Sequence, residues 1–208
     1  MQILLPWQAH DLSRWQARPL PDHRRPDWAF RDHMSVRLAQ EPPGPPLADG
    51  PFERVERSIF GYRIFVPVIG LPVLAREPLQ LGDTVGLRYR FLPGLDIFFA
   101  SRVIEVFRRQ GDPVRSGFVY RTLPHHPETG EETFQVSKDL ESGEVRLTIH
   151  AWSHPGMWLA WLILPLGRAI QHRAARHARS FLSQVASTSG STQAPRRTGE
   201  NNPPRECQ

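Results

Sequence analysis

The stretch from Val85 to Trp152 limits the fold more than any other part of this chain. Short runs of alternating apolar and polar residues follow one another there, each closed by turn residues. Val85, Leu87, Tyr89 and Phe91 alternate with Gly86, Arg88 and Arg90, the period-two pattern of a strand with one buried face. Pro93-Gly94 then turns the chain into a second strand over residues 97–107. Gly111-Asp112-Pro113 leads to a third, Phe118-Val119-Tyr120-Arg121-Thr122-Leu123. The loop Pro124 to Gly130 leads to a fourth, marked by Phe134 and Val136. After Glu141-Ser142-Gly143, Val145, Leu147, Ile149 and Ala151 alternate with Arg146, Thr148, His150 and Trp152 to give a fifth. Connections this short join antiparallel neighbours, because a parallel pair needs a crossover of about a dozen residues or more. The expected centre of the molecule is therefore an antiparallel sheet.

Helical periodicity flanks the sheet. Phe52, Val55, Ile59 and Phe60 recur at helical spacing, which predicts a short helix over residues 52–62. Val66 to Leu74 is apolar but broken by Pro67, Gly70 and Pro72, and is expected to be irregular. Ser153 reads as an N-cap with Pro155 in the first turn, opening a helix to about Val185 with a kink at Pro165. In its second half Ile170, Ala174, Ala178, Phe181, Leu182 and Val185 form one stripe, and Arg168, His172, Arg176 and Arg179 another. The 208 residues divide into an irregular, Pro-rich segment 1–50 with one strand near Met34–Leu38, a single α+β domain 51–186, and a disordered tail 187–208.

Composition excludes several classes. Cys207 is the single cysteine, so there is no disulfide framework and no multi-cysteine metal site. The basic residues are 25 Arg and one Lys, Lys138. The net charge of +5 is unevenly placed: residues 1–50 sum to zero, residues 51–144 to −1, residues 145–185 to +5 and residues 186–208 to +1. A nearly neutral body with one basic segment does not describe a general nucleic-acid-binding protein. Met1 to Trp7 lacks the basic start and long apolar run of a signal peptide. The longest apolar run, Met157 to Leu166, is half of the about 20 residues a membrane helix needs. A cytoplasmic location is expected.

The run Phe118-Val119-Tyr120-Arg121-Thr122-Leu123-Pro124-His125-His126-Pro127-Glu128-Thr129-Gly130-Glu131-Glu132-Thr133-Phe134 resembles the signature of the UPF 0548 family. That bacterial and plant group has no assigned function, and its signature reads G-F-x-Y-G-T-L-P-G-H-x-E-x-G-E-E-x-F. Arg102-Val103 and Ala151-Trp152-Ser153-His154-Pro155 resemble flanking family motifs, and the likeness spans roughly residues 52–185. Arg121 and His125 stand where the family has glycine, and His154 where it has arginine. The resemblance implies a helix-grip architecture like that of START and polyketide-cyclase proteins. There a curved sheet wraps a long C-terminal helix and leaves an apolar cavity between them.

The densest polar cluster is His125, His126, Glu128, Glu131 and Glu132. A pair of His126 with Glu131 or Glu132 would suit acid–base chemistry, since a neighbouring carboxylate raises the imidazole pKa. The competing reading is a solvated hairpin loop. A zinc site from His125, His126 and a Glu with His150 or His154 is disfavoured by spacing, so neither metal nor cofactor is expected. Arg102 could anchor an anionic ligand bidentately, or pair with Glu105, Glu131 or Glu132. Tyr120, Thr122, His125 and Ser153 are further candidate ligand contacts. Trp158, Trp161, Arg168, Arg173, Arg176 and Arg179 would form a patch for an anionic membrane surface. Three functions follow: a binding module for a small apolar or amphipathic ligand, an enzyme using the same cavity, and a peripheral membrane or interaction protein. The oligomeric state stays open.

Overall fold

The computed structural model describes residues 2–4, 12–22, 24–64, 70–92, 95–156 and 180–187. Eight strands form one sheet: β1 (Gln2–Leu4), β2 (Phe30–Gln40), β3 (Leu71–Leu74), β4 (Thr84–Leu92), β5 (Leu95–Arg109), β6 (Val114–Thr122), β7 (Glu128–Lys138) and β8 (Glu144–Pro155). Helix α1 (Leu12–Gln16) lies between β1 and β2, and α2 (Pro51–Phe60) between β2 and β3. The strand order is β2-β8-β7-β6-β5-β4-β3, with β1 paired to β5, and every pairing is antiparallel. Register shifts at Arg37/Ala39, Arg90/Leu92 and Val103/Glu105 bend the strands and curve the sheet. The molecule is an α+β protein, a curved antiparallel sheet with helical segments packed on both of its faces.

One face of the sheet carries the main core. Val103, Phe118, Phe134, Val136, Leu147 and Ile149 point to it, because cross-strand partners share a face and side chains alternate along each strand. Phe52, Val55 and Ile59 of α2 close over them, together with Leu182 and Ala186 from the helical residues 180–187. Arg54 of α2 reaches across to this segment, donating from Nε to the Val185 carbonyl at 3.0 Å and from Nη2 to the Ala186 carbonyl at 2.6 Å. These donors occupy carbonyls that the end of a helix leaves without an internal partner.

The opposite face has a smaller core of Leu4, Trp15, Phe98, Ala100 and Leu123. Its cover is the N-terminal segment, which the sequence presents as irregular. Trp15 of α1 packs edge-on to Phe98 with ring centroids 5.6 Å apart. The strand expected at Met34–Leu38 is longer, Phe30–Gln40, and is an edge of the sheet along β8.

The reading of Ser153 as a helix cap is corrected. Ser153 lies in β8, opposite Phe30 on one side and Gly130 on the other. With strands on both sides its backbone groups belong to two ladders, and this outweighs the local capping signal. Leu71–Leu74, expected to be irregular, pairs with β4. The kink at Pro165, the arginine stripe over residues 168–179 and the tail beyond 187 lie outside the described residues.

Candidate functional site

The motif residues separate by strand alternation. Glu131 and Glu132 are adjacent in β7, so their side chains leave opposite faces of the sheet. Glu131 goes to the face covered by the N-terminal segment. There Arg121 holds it, Nε to Oε1 at 2.7 Å and Nη2 to Oε1 at 2.6 Å, while Trp152 Nε1 donates to Oε2 at 3.2 Å. Arg121 also donates to the Pro21 carbonyl at 3.2 Å. The arginine that replaces the family's glycine therefore ties the N-terminal segment to the sheet.

Glu132 goes to the core face. It lies in a row across the sheet with Asp32, Ala151, Tyr120 and Val103. The Tyr120 hydroxyl donates to Glu132 Oε2, and a further hydrogen bond joins Tyr62 to Tyr120. Burial pushes the Glu132 carboxyl up to about 7, with Glu128 and Asp32 adding to the rise and the Tyr120 hydroxyl opposing it. Burial also raises both tyrosines, helped by the nearby Glu132 charge. This end of the core face is open. Asp32, Met34, Ala151, Glu132 and Tyr120 all remain partly exposed, whereas Phe134, Val136 and Leu147 a few residues away are fully buried. The partly exposed Phe60 packs against Phe118 beside them, with ring centroids 5.8 Å apart.

His126 stands apart from both glutamates. Its Nδ1 lies 2.7 Å from the Glu128 carbonyl oxygen, and its ring meets Phe99 edge-on at 4.6 Å. Burial depresses its pKa to about 3, so it is neutral at physiological pH. No hydrogen bond joins it to Glu131 or Glu132 among the described residues, and the expected acid–base pair is not assembled. His125 is exposed, with φ at 68°. The Thr122 hydroxyl accepts from the Gly130 amide at 3.0 Å and so pins the turn into β7.

Among the described residues Arg102 makes none of the expected pairs with Glu105, Glu131 or Glu132. Its guanidinium donates to the carbonyls of Trp15 at 2.9 Å, Gln16 at 2.7 Å and Arg18 at 3.1 Å. It therefore caps the C-terminal end of α1. Among the described residues no group of three His, Cys, Asp or Glu is placed to hold a metal ion. No helix among them is long and apolar enough to cross a membrane. The proposed membrane patch, Trp158, Trp161, Arg168, Arg173, Arg176 and Arg179, lies outside the described residues. Sequence reasoning missed Tyr62 and Asp32. Both join the Glu132 cluster only through tertiary packing, and no local pattern marks either.

A curved antiparallel sheet covered by helical segments thus carries, on its core face, a polar cluster of Glu132, Asp32, Tyr62 and Tyr120. The model of the family described as "Domain of unknown function (DUF1990)" matches residues 11–180, and the chain belongs to that family. A "UPF0548 protein" of Deinococcus radiodurans is 31% identical over 174 residues, covering 79% of this chain and 82% of that protein. Three solved structures are similar at low identity. Protein CV1439 from Chromobacterium violaceum is 14% identical, with 76% of this chain and 98% of that chain covered and a TM-score of 0.47. The di-domain ARO/CYC BexL from the BE-7585A biosynthetic pathway is 15% identical, with 79% and 52% covered and a TM-score of 0.49. Major latex-like protein 151 from Panax ginseng is 12% identical, with 74% and 97% covered and a TM-score of 0.40.

Proposed function

We propose that this protein is a binding module for a small amphipathic ligand, held at the open end of the core face. The ligand's apolar body lies over Met34, Phe60 and Tyr120, and its polar group meets the Glu132 carboxyl. The observation that carries this reading is the contrast along the face, fully buried at Phe134 and Val136 but partly exposed at Tyr120 and Glu132. A mostly apolar lining with a few placed polar groups is the usual chemistry of a small-molecule site. With its pKa near 7, Glu132 holds a proton about half of the time at neutral pH and both donates and accepts. A ligand hydroxyl or carbonyl suits it better than a carboxylate. Native mass spectrometry of freshly purified protein should show a co-purified small molecule. Nile red should bind and be displaced by a medium-chain fatty alcohol, less readily in Glu132→Gln. If no small molecule co-purifies and the dye finds no site, the proposal fails.

A further inference from the structure

A second site lies on the other face of the sheet, in an open groove of about 400 Å³ lined by residues that include Arg25, Arg31, His33, Thr133, His150 and Trp152. Two adjacent cross-strand rows build it. Arg31 lies opposite Trp152 and Trp152 opposite Glu131, while His33 lies opposite His150 and His150 opposite Thr133. Strands about 4.8 Å apart, with same-face residues about 6.7 Å apart along each strand, set these side chains next to one another on one face of the sheet.

The lining sets Arg25 and Arg31, with His33 and His150, against the carboxylates Glu131 and Asp32. Both oxygens of Glu131 are engaged, one by Arg121 and one by Trp152. Asp32 also borders the groove, but its side chain leaves the other face, in the Glu132 row. Arg25 and Arg31 are exposed, and neither makes an ion pair or hydrogen bond with a described residue. Among the described residues, then, neither guanidinium has an ion-pair partner. His33 and His150 meet on the floor, with Nδ1 to Nδ1 at 2.9 Å and ring centroids 4.3 Å apart. At that separation the two facing nitrogens share one proton, and the pair becomes a cation by taking a further proton on the outer Nε2 of the donor ring, with the contact kept. Burial, with the neighbouring His33 adding to it, lowers the His150 pKa. The other groups facing the pair are Arg31 and Ser35 of β2, Trp152, Thr148 and Arg146 of β8, and Glu131 and Thr133 of β7. Arg146 is turned to Glu144 and the Ser35 hydroxyl.

We infer that this groove is a binding site for a tetrahedral oxyanion of the phosphate or sulfate class. Arg31 and Arg25 supply fixed charge, the Thr133 hydroxyl and Trp152 line the site, and the His33–His150 pair adds a proton-dependent third charge. Guanidinium groups suit this ligand because their planar donors match its oxygens in pairs. The site is separate from the proposed ligand site on the core face, and neither depends on the other.

Sulfate is the best probe, since its charge is constant across the histidine range, and free phosphate and a phosphate monoester would then separate the natural sources. The ring C–H resonances of His33 and His150 should shift saturably with millimolar sulfate. Binding should be about tenfold tighter near pH 5.5 than near pH 8, the factor expected when the bound anion raises the pKa of the pair by about one unit. Arg31→Ala should abolish the shift. The double variant His33→Gln, His150→Gln should keep weak binding, read from the Trp152 indole resonance, and lose the pH dependence. Glu132→Gln, on the other face, should leave it unchanged. Absence of a saturable shift, or wild-type binding in Arg31→Ala, would overturn the inference.

Discussion

Lys138, the one lysine among 26 basic residues, has a fully buried side chain. Its Nζ donates to Glu41 Oε2 at 2.8 Å and to the Pro45 carbonyl at 2.9 Å. Glu41 in turn accepts from the backbone amides of Phe52 at 2.7 Å and Leu47 at 3.1 Å. The helix N-cap position is Gly50, which has no side chain to cap with, so α2 borrows its cap from Glu41. Burial alone would raise the Glu41 carboxyl. The bonds from Lys138, Phe52 and Leu47 outweigh it and hold the pKa below the ordinary value. An isolated buried carboxylate is costly, so Lys138→Met should lower stability by about 3–5 kcal/mol, measured by urea denaturation. A loss below 1 kcal/mol would mean that the pair is not buried in solution.

At the scale of elements, the joints between layers are single side chains. Arg102 holds the carbonyl end of α1 against the sheet. Arg102→Ala should release residues 12–22 without unfolding the sheet. Limited proteolysis near Arg14 and Arg18 should accelerate while strand amide protection is kept, and equal loss of protection everywhere would refute a local role. The β7–β8 joint depends on a close approach instead. A Cβ at Gly130 would sit 2.0 Å from the Trp152 carbonyl oxygen. The motif glycine therefore serves packing, and Gly130→Ala should cost about 3 kcal/mol or more in thermal or urea denaturation.

For the whole molecule, stability against pH reports Glu132, whose pKa is raised, against His126 and Glu41, whose pKa values are lowered. Between pH 4.5 and about 7 the folded protein keeps a proton on Glu132 that the unfolded chain has lost, so stability from this group falls as pH rises. Between about 3 and 6.5 the folded protein lacks a proton on His126 that the unfolded chain binds, so stability from this group rises with pH. The two slopes oppose each other from 4.5 to 6.5. Below 4.5 Glu41 joins His126 in losing stability as pH falls. The wild-type urea midpoint should therefore be nearly flat over that window and drop in acid. In Glu132→Gln it should climb across the window, and an unchanged profile would show that Glu132 titrates normally.

The sequence by itself determined the antiparallel sheet, because period-two alternation and short turns are local signals that survive any packing. It also determined the family, through the seventeen residues from Phe118 to Phe134. It did not determine which motif residues act together. Glu131 and Glu132 are neighbours in sequence, yet the pleat sends them to opposite faces, and His126 packs on Phe99 away from both. The partners of Glu132, Arg102 and His33 come from residues up to 117 positions away, fixed by strand register. Register over that distance depends on how the whole sheet buries its apolar face, so only the tertiary structure decided where the polar groups converge.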